Sequence, residues 1–239
     1  MRMRKKKNGA KRLEAVSEFL LDLPTEPSSD PGSLIDKPGA EVYLEIGAGK
    51  GGFACAMAEL NRGVAYFAME KVSDCVLLAC ERASKMNGGA DNLRFVIENA
   101  DRLLNIFEKG SIDRIFLNFS DPWTKKGYAK RRLTHRRYLA LYMNLLKEGG
   151  RLTFKTDNDQ LFEFSLEEIS AMGLSTDKCT RDLHNSEYNV GNVMTEYEKN
   201  FTELGKSINM LEITKPQGYA VDVPTEFLNI RTVITENDR

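Results

Sequence analysis

The sequence predicts an α/β fold: a seven-stranded, mostly parallel sheet with helices on both faces. Three observations carry this. From residue 41 onward, apolar runs of strand length alternate with amphipathic stretches of helical period. A glycine-rich turn joins the first predicted strand to the first predicted helix. Acidic and amide side chains recur directly after successive strands, where open α/β sheets hold their ligands. With 239 residues, 41% of them hydrophobic and 29% charged, the chain can bury the core of one such domain with pieces added at its ends.

Residues 1–39 are expected to form a basic arm, a short helix over Leu13–Leu21 and a linker over 24–39, where Pro24, Pro27, Pro31 and Pro38 rule out regular structure. Strands are predicted at 41–46, 64–69, 93–97, 112–118 and 150–156. Helices are predicted at 51–60, 72–86, 101–108, 135–147 and 159–171. In 135–147, Tyr138, Leu141, Tyr142, Leu145 and Leu146 recur at helical spacing, and Gly149–Gly150 stop the turn. Two more strands, 174–183 and 207–214, flank a polar loop that carries Asn192 to Glu198. The main domain thus spans 40–215. Residues 216–239 form an extension in which Val221, Val223, Phe227, Leu228, Ile230, Val233 and Ile234 are too apolar for a solvated tail. An added strand, a cover for a sheet edge and a subunit contact are all open to it, and the chain is expected to be a monomer or a homodimer.

Net charge is −1, so distribution matters more than the sum. Residues 1–12 hold seven Lys or Arg and no acid, and residues 125–137 hold seven more, together 14 of the 34 cations. The first run is expected to be disordered when free and to touch nucleic-acid phosphates. Cys55, Cys75, Cys80 and Cys179 lack metal-ligand spacing and are expected as reduced thiols, with no metal bound. No apolar run has membrane-spanning length, and no apolar stretch follows the basic start. A cytoplasmic protein with no membrane partner is expected.

The turn Gly47-Ala48-Gly49-Lys50-Gly51-Gly52 lets a ligand approach the backbone closely. Gly47, Gly49 and Gly52 also satisfy the dinucleotide pattern, so the turn alone does not name its ligand. Glu45, just before it, would repel a pyrophosphate but suits the ammonium of a methionine moiety. Glu70, after the second strand, stands where an acid binds ribose hydroxyls. Asn99, after the third, can hydrogen-bond an adenine edge. An adenosyl ligand without phosphates fits these residues, and S-adenosylmethionine is the expected cofactor.

Residues 118–132 read Asn-Phe-Ser-Asp-Pro-Trp-Thr-Lys-Lys-Gly-Tyr-Ala-Lys-Arg-Arg. An apolar strand thus runs into one carboxylate, Asp121, then a rigid Pro122–Trp123 corner, then a dense set of cations. Such a grouping suits an enzyme that holds a base while gripping the backbone. A surface turn leading into a solvated basic helix is the simpler alternative.

Taken together, Leu-Glu-Ile-Gly-x-Gly-x-Gly (44–51), Ser-Asp-Pro-Trp (120–123), Lys-Lys (125–126), Lys-Arg-Arg-Leu (130–133), Phe-Lys-Thr-Asp-Asn (154–158) and Asn-Val-Met-Thr-Glu-Tyr-Glu (192–198) resemble the bacterial tRNA (guanine-N7-)-methyltransferases of the TrmB type. The resemblance implies a Rossmann-like class I S-adenosylmethionine-dependent methyltransferase that forms 7-methylguanosine in tRNA, at guanine 46 of the variable loop. It implies cofactor contacts from Glu45, Gly47, Gly49, Gly51, Glu70, Asn99 and Asp121, with Asp121 also catalytic. It further implies substrate contacts from Lys125, Asp157, Thr195, Glu196, Tyr197 and Glu198, and RNA contacts from Lys126, Lys130, Arg131 and Arg132. The chain departs from the family at Thr124, where Pro is usual, and at Gly127–Tyr128, where Arg-His is usual.

Guanine N7 has an in-plane lone pair and no proton to lose, so position and electrostatics matter more than a strong base. Asp121 could orient the donor edge of guanine or stabilise the purine as it gains positive charge. Asp157 could instead cap the helix after it, Glu196 and Glu198 could be solvated loop acids, and Trp123 could stack on a base or anchor the core. His135 and His184 have neither a nucleophile nor a metal-ligand partner at sensible spacing. Three other readings compete: a methyltransferase acting on another RNA or DNA site such as an exocyclic amine, an NAD-dependent oxidoreductase using the glycine turn, and a non-catalytic RNA-binding module.

Overall fold

The computed structural model describes residues 6–228. Seven strands form one sheet: β1 (Val42–Ile46), β2 (Ala65–Glu70), β3 (Leu93–Ile97), β4 (Ile112–Asn118), β5 (Leu146–Thr156), β6 (Lys178–Thr180) and β7 (Asn209–Thr214). Their order is β3-β2-β1-β4-β5-β7-β6. The first five are parallel, and β7 runs antiparallel to both of its neighbours. β1 and β2 are buried along nearly their whole length, as strands covered on both faces must be.

Successive strand residues feed two cores. On one face Tyr43, Tyr66, Phe95 and Phe116 pack with Phe53, Ala54 and Ala58 of α2 (Gly52–Leu60) and with Val76, Ala79 and Cys80 of α3 (Ser73–Ala83). On the other, Leu44, Phe67, Leu117 and Phe154 pack with Leu139 and Tyr142 of α4 (Arg136–Leu145) and Phe162 and Ile169 of α5 (Asp159–Ala171). Burial in these cores pushes the Cys55 and Cys80 thiols up to about 12, so neither is a nucleophile.

The two ends of the chain depart from expectation. The helix expected at Leu13–Leu21 is replaced by α1 (Gly9–Glu14), a 3-10 turn at Ser17–Phe19 and a short extended stretch. Leu20 pairs in parallel with Phe95, and the Leu21 amide donates to the Phe95 carbonyl at 2.9 Å. Pairing with the open edge of β3 wins over helix continuation there. Part of the basic arm is also tied down: Arg12 forms a two-point ion pair with Glu81, and the Lys6 amide donates to Asp74. Residues 1–5 of that arm lie outside the described residues. At the other end, α7 (Thr225–Leu228) seats Phe227 and Val223 in the second core, so residues 216–228 are packed chain. Ile230, Val233 and Ile234 lie outside the described residues.

Smaller differences follow from local geometry. The helix expected at 101–108 is a 3-10 helix, Ala100–Asn105. The strand expected at 174–183 narrows to β6. β5 begins four residues early, with Gly149 at φ 74 and a register shift against β4 between Ile112 and Arg114. The polar loop after residue 190 runs into a helix, α6 (Glu196–Glu203). Among the described residues, no helix is long and apolar enough to cross a membrane and no side-chain group could hold a metal ion.

Candidate active site

The sheet order reverses between β1 and β4, and a cleft of about 1100 Å³ opens beyond the carboxyl ends of these strands. Glu45, Gly47, Gly49, Glu70, Asn99, Asp121, Arg131, Thr195, Glu196 and Tyr197 all line it. Gly51, Lys125, Lys126, Lys130, Arg132, Asp157 and Glu198 do not.

Glu45 is 2% exposed, at the end of β1. Its Oε1 accepts from the Asn118 amide at 3.0 Å, across the β1–β4 pair, while Oε2 is buried without a partner among the described residues. Burial pushes this carboxyl up to about 7 against the opposing pull of the Asn118 hydrogen bond and the Lys155 charge. A buried acid with one unused oxygen at a cleft is built to receive a cation. Glu70, at the end of β2, accepts from the Gly49 amide at 3.1 Å and from the Val72 amide at 2.9 Å, which fixes the glycine turn against it. Gly47, Gly49 and Gly51 all have positive φ. At Gly51 the need is also steric: a Cβ would stand 2.7 Å from that of Ala79 and 2.9 Å from the Phe95 ring.

Asp121 follows β4 in a corner flanked by two left-handed non-glycine residues, Phe119 at φ 52 and Trp123 at φ 42. Such backbone persists only where its surroundings over-determine it. The Phe119 amide donates to the Lys155 carbonyl at 2.9 Å, and its ring stacks with those of Tyr197 and Phe201. On the far side, Trp123 meets Tyr128 edge-on, with the Arg131 guanidinium over both rings. Trp123 is therefore not a core anchor. Asp121 itself is exposed and accepts no hydrogen bond among the described residues. Beside it, the Ser120 hydroxyl is buried without a partner among the described residues.

Two residues expected at contacts are engaged within the protein. Arg132, expected to meet RNA, turns inward: Nε donates to the Pro122 carbonyl at 3.0 Å, Nη2 to the Trp123 carbonyl at 3.1 Å, and the guanidinium lies over Phe164. It buttresses the Asp121 corner. Glu198, expected among the substrate contacts, is wholly buried, because both its oxygens are needed inside the protein. Oε2 receives Lys155 Nζ at 2.6 Å, Oε1 receives the Asn192 amide at 2.7 Å, and Glu198 closes a capping box with Thr195.

Asp157 pairs with Lys206 at 3.2 Å, outside the cleft lining, and it is Asn158 that caps α5. Glu196 pairs with Arg82 of α3. Of the second basic run, Arg136 is engaged by Glu168 and Arg137 by Glu226, which leaves Lys125, Lys126, Lys130, Arg131 and the inward-turned Arg132 without an acidic partner among the described residues. Lys125 precedes the 3-10 helix Lys126–Arg131 and is exposed. His135 caps α4 and His184 faces Glu198, so neither reaches the cleft.

A family model described as "Putative methyltransferase" matches residues 39–211. The chain is 44% identical over 170 residues to a tRNA (guanine-N(7)-)-methyltransferase of Lachnoclostridium phytofermentans, covering 71% of this chain and 78% of that protein. It is 39% identical over 218 residues to one of a Geobacillus species, covering 90% and 96%. The chain belongs to the tRNA (guanine-N7-)-methyltransferase family. Among solved structures it is similar in fold to the 16S rRNA methyltransferase KamB (TM-score 0.60, 14% identity, 82% of this chain and 97% of that one). The antibiotic-resistance methyltransferase Kmr is also similar (TM-score 0.56, 15% identity, 84% and 98%). The fold is that of the Rossmann-like class I methyltransferases, and the family enzyme uses S-adenosylmethionine. The residues fit that cofactor. Unused Glu45 Oε2 suits its ammonium, Glu70 its ribose hydroxyls, and Asn99, exposed at the cleft rim, its adenine edge.

Proposed function

We propose that this chain methylates N7 of a guanine in tRNA, at guanine 46 of the variable loop, in the cytoplasm where that substrate resides. The observation that carries the reading is the placement of Asp121. An acceptor-only group with its lone pairs free stands in the same cleft as Glu45, between two aromatic clusters. Bound S-adenosylmethionine supplies an electrophilic methyl group on a sulfonium.

The chain's residues supply position. Asp121 accepts from the donor edge of guanine, which turns the opposite N7 edge toward the cofactor. With Glu45, Glu70 and Asn99 holding the cofactor, its sulfonium would supply the methyl group to the N7 lone pair and would retain the carbon–sulfur electron pair. No proton has to move, so an unshielded carboxylate suffices. The same charge offsets the positive charge the purine gains. Tyr197, 63% exposed and stacked on Phe119, offers a face to the base, and Trp123 with Tyr128 offers another to its neighbour. Thr195 and Glu196, which line this space, are further substrate contacts, and Lys125 and Asp157, outside the lining, meet parts of the tRNA beyond the guanine. Lys126, Lys130 and Arg131 hold phosphates, as do the cations of residues 2–7.

The test is nucleoside mass spectrometry of an unmodified tRNA transcript incubated with protein and S-adenosylmethionine. The parent is expected to form 7-methylguanosine, and to fail on a transcript lacking the variable-loop guanine. Asp121→Ala should lower the rate on the order of 10²–10³-fold while cofactor still binds. Absence of 7-methylguanosine from the parent reaction overturns the assignment.

A further inference from the structure

The two walls of the cleft come from distant parts of the chain, yet one residue touches both. Lys155 lies on β5 in register with Asn118 of β4, and its side chain is 4% exposed. Its carbonyl accepts from the Phe119 amide at 2.9 Å, holding the start of the Asp121 corner. Its ammonium donates to three acceptors of the opposite wall: Asn192 Oδ1 at 3.1 Å, the Val193 carbonyl at 3.0 Å and Glu198 Oε2 at 2.6 Å. An ammonium has three protons, and all three are used.

We infer that Lys155 is a positioning residue, a buried pin that sets the Thr195–Tyr197 wall relative to the Asp121 corner. The inference rests on the reading that this cleft binds a guanine of tRNA.

The chemistry favours a lysine over an apolar side chain for this task. A buried ion pair adds little net stability over well-packed apolar residues, but it fixes one arrangement. Glu198 shows what is fixed. Its oxygens also meet the Thr195 amide and the Asn192 side chain, so the capping box that begins α6 is built directly on the lysine. Thr195, Glu196 and Tyr197 then project from the first turn of α6 into the cleft. None of the three acceptors of the Lys155 ammonium lines the cleft. The ammonium lies against the Phe53 ring; burial lowers its pKa, opposed first by the charge and hydrogen bond of Glu198 and then by the charge of Glu45. A small displacement of a positioned group can cost on the order of 10²-fold in rate.

The experiment compares the parent with Lys155→Met, Lys155→Arg and the double variant Lys155→Met/Glu198→Met. The double variant removes the charge that the single change would leave buried alone, so it keeps the test open if Lys155→Met fails to fold. Three readouts are taken: S-adenosylmethionine affinity by calorimetry, kcat and KM for tRNA, and amide hydrogen exchange across residues 190–200. The double variant is expected to bind cofactor within about threefold of the parent. Its kcat/KM for tRNA should fall on the order of 10- to 100-fold, with faster exchange at 190–200. Lys155→Arg should recover part of both. A folded double variant with parental kcat/KM and parental exchange overturns the inference. If the parent itself methylates no tRNA, the functional reading fails alone, and the exchange comparison still decides whether Lys155 pins the loop.

Discussion

The Asn118 side-chain amide meets one oxygen of Glu45 at 3.0 Å and leaves the other oxygen buried and unpaired, across the two central strands at the mouth of the cleft. Without ligand this arrangement is costly, because it holds the Glu45 carboxyl at about 7. The folded protein thus binds a proton more readily at this site than the unfolded chain does. The penalty is absent below the ordinary glutamate range and grows as pH rises toward 7, reaching on the order of 3 kcal/mol. Glu45→Gln should therefore melt higher than the parent at pH 8 and no higher at pH 4, while losing most of its cofactor affinity. For the parent, affinity should decline as pH falls below about 7, with proton release on binding at neutral pH. Calorimetry in buffers of different ionisation enthalpy measures this, and pH-independent binding would exclude Glu45 as the partner of the ammonium.

Cations of the second basic run should separate into two kinds. Lys126→Ala and Lys130→Ala are each expected to lower the slope of log affinity against log salt by about 0.7–1, with melting temperature unchanged. Arg132→Ala should leave that slope alone and lower stability by about 1–3 kcal/mol, since two carbonyls of the Asp121 corner lose their donors. Filter binding over a salt series with parallel thermal melts distinguishes them. A flattened slope in Arg132→Ala would make it a phosphate contact after all.

Removing the Phe227 ring should cost about 3–5 kcal/mol, because it is 2% exposed and packs against Tyr138 at a ring separation of 5.5 Å. Arg137 and Tyr138, which line the cleft, would lose a neighbour at the same time. Chemical denaturation of Phe227→Ala measures this. Unchanged stability would mean that residues 216–228 sit on the domain without supporting it.

Gly51→Ala is expected to cost more than about 2 kcal/mol and to abolish cofactor binding, given its positive φ and the 2.7 Å approach to Ala79. Gly63, where an added Cβ meets nothing within 4 Å, serves as the control: its change to Ala should be neutral or stabilising by up to about 1 kcal/mol. Equal melting temperatures for the two variants would remove the steric argument.

What was legible in the sequence follows a physical line. Glu45, Glu70, Asn99 and Asp121 were readable because each sits at a strand end, and in a parallel sheet that address is enough to bring them to one cleft. The burial of Glu198 was not anticipated, although Thr195-x-x-Glu198 is a helix-start signal in plain view. Lys155, though within the Phe-Lys-Thr-Asp-Asn string, gave no local sign of its burial. It lies on a strand, and its burial depends on residues 37 to 43 positions further along the chain. Arg132 stood among true surface cations, and only the folded Pro122–Trp123 corner reveals which one turns inward. The helix expected at Leu13–Leu21 gave way because the open flank of β3 offered the backbone better partners.

The antiparallel β7 slots between β5 and β6, although it is made last. During synthesis the outer side of β5 therefore has no mate until residue 214 has emerged. Any earlier product leaves a row of amide and carbonyl groups bare beside the reaction centre. Chains of this protein terminated before β7 should thus be sticky species that need a chaperone or a protease, and only a polypeptide that extends through β7 can shut this sheet.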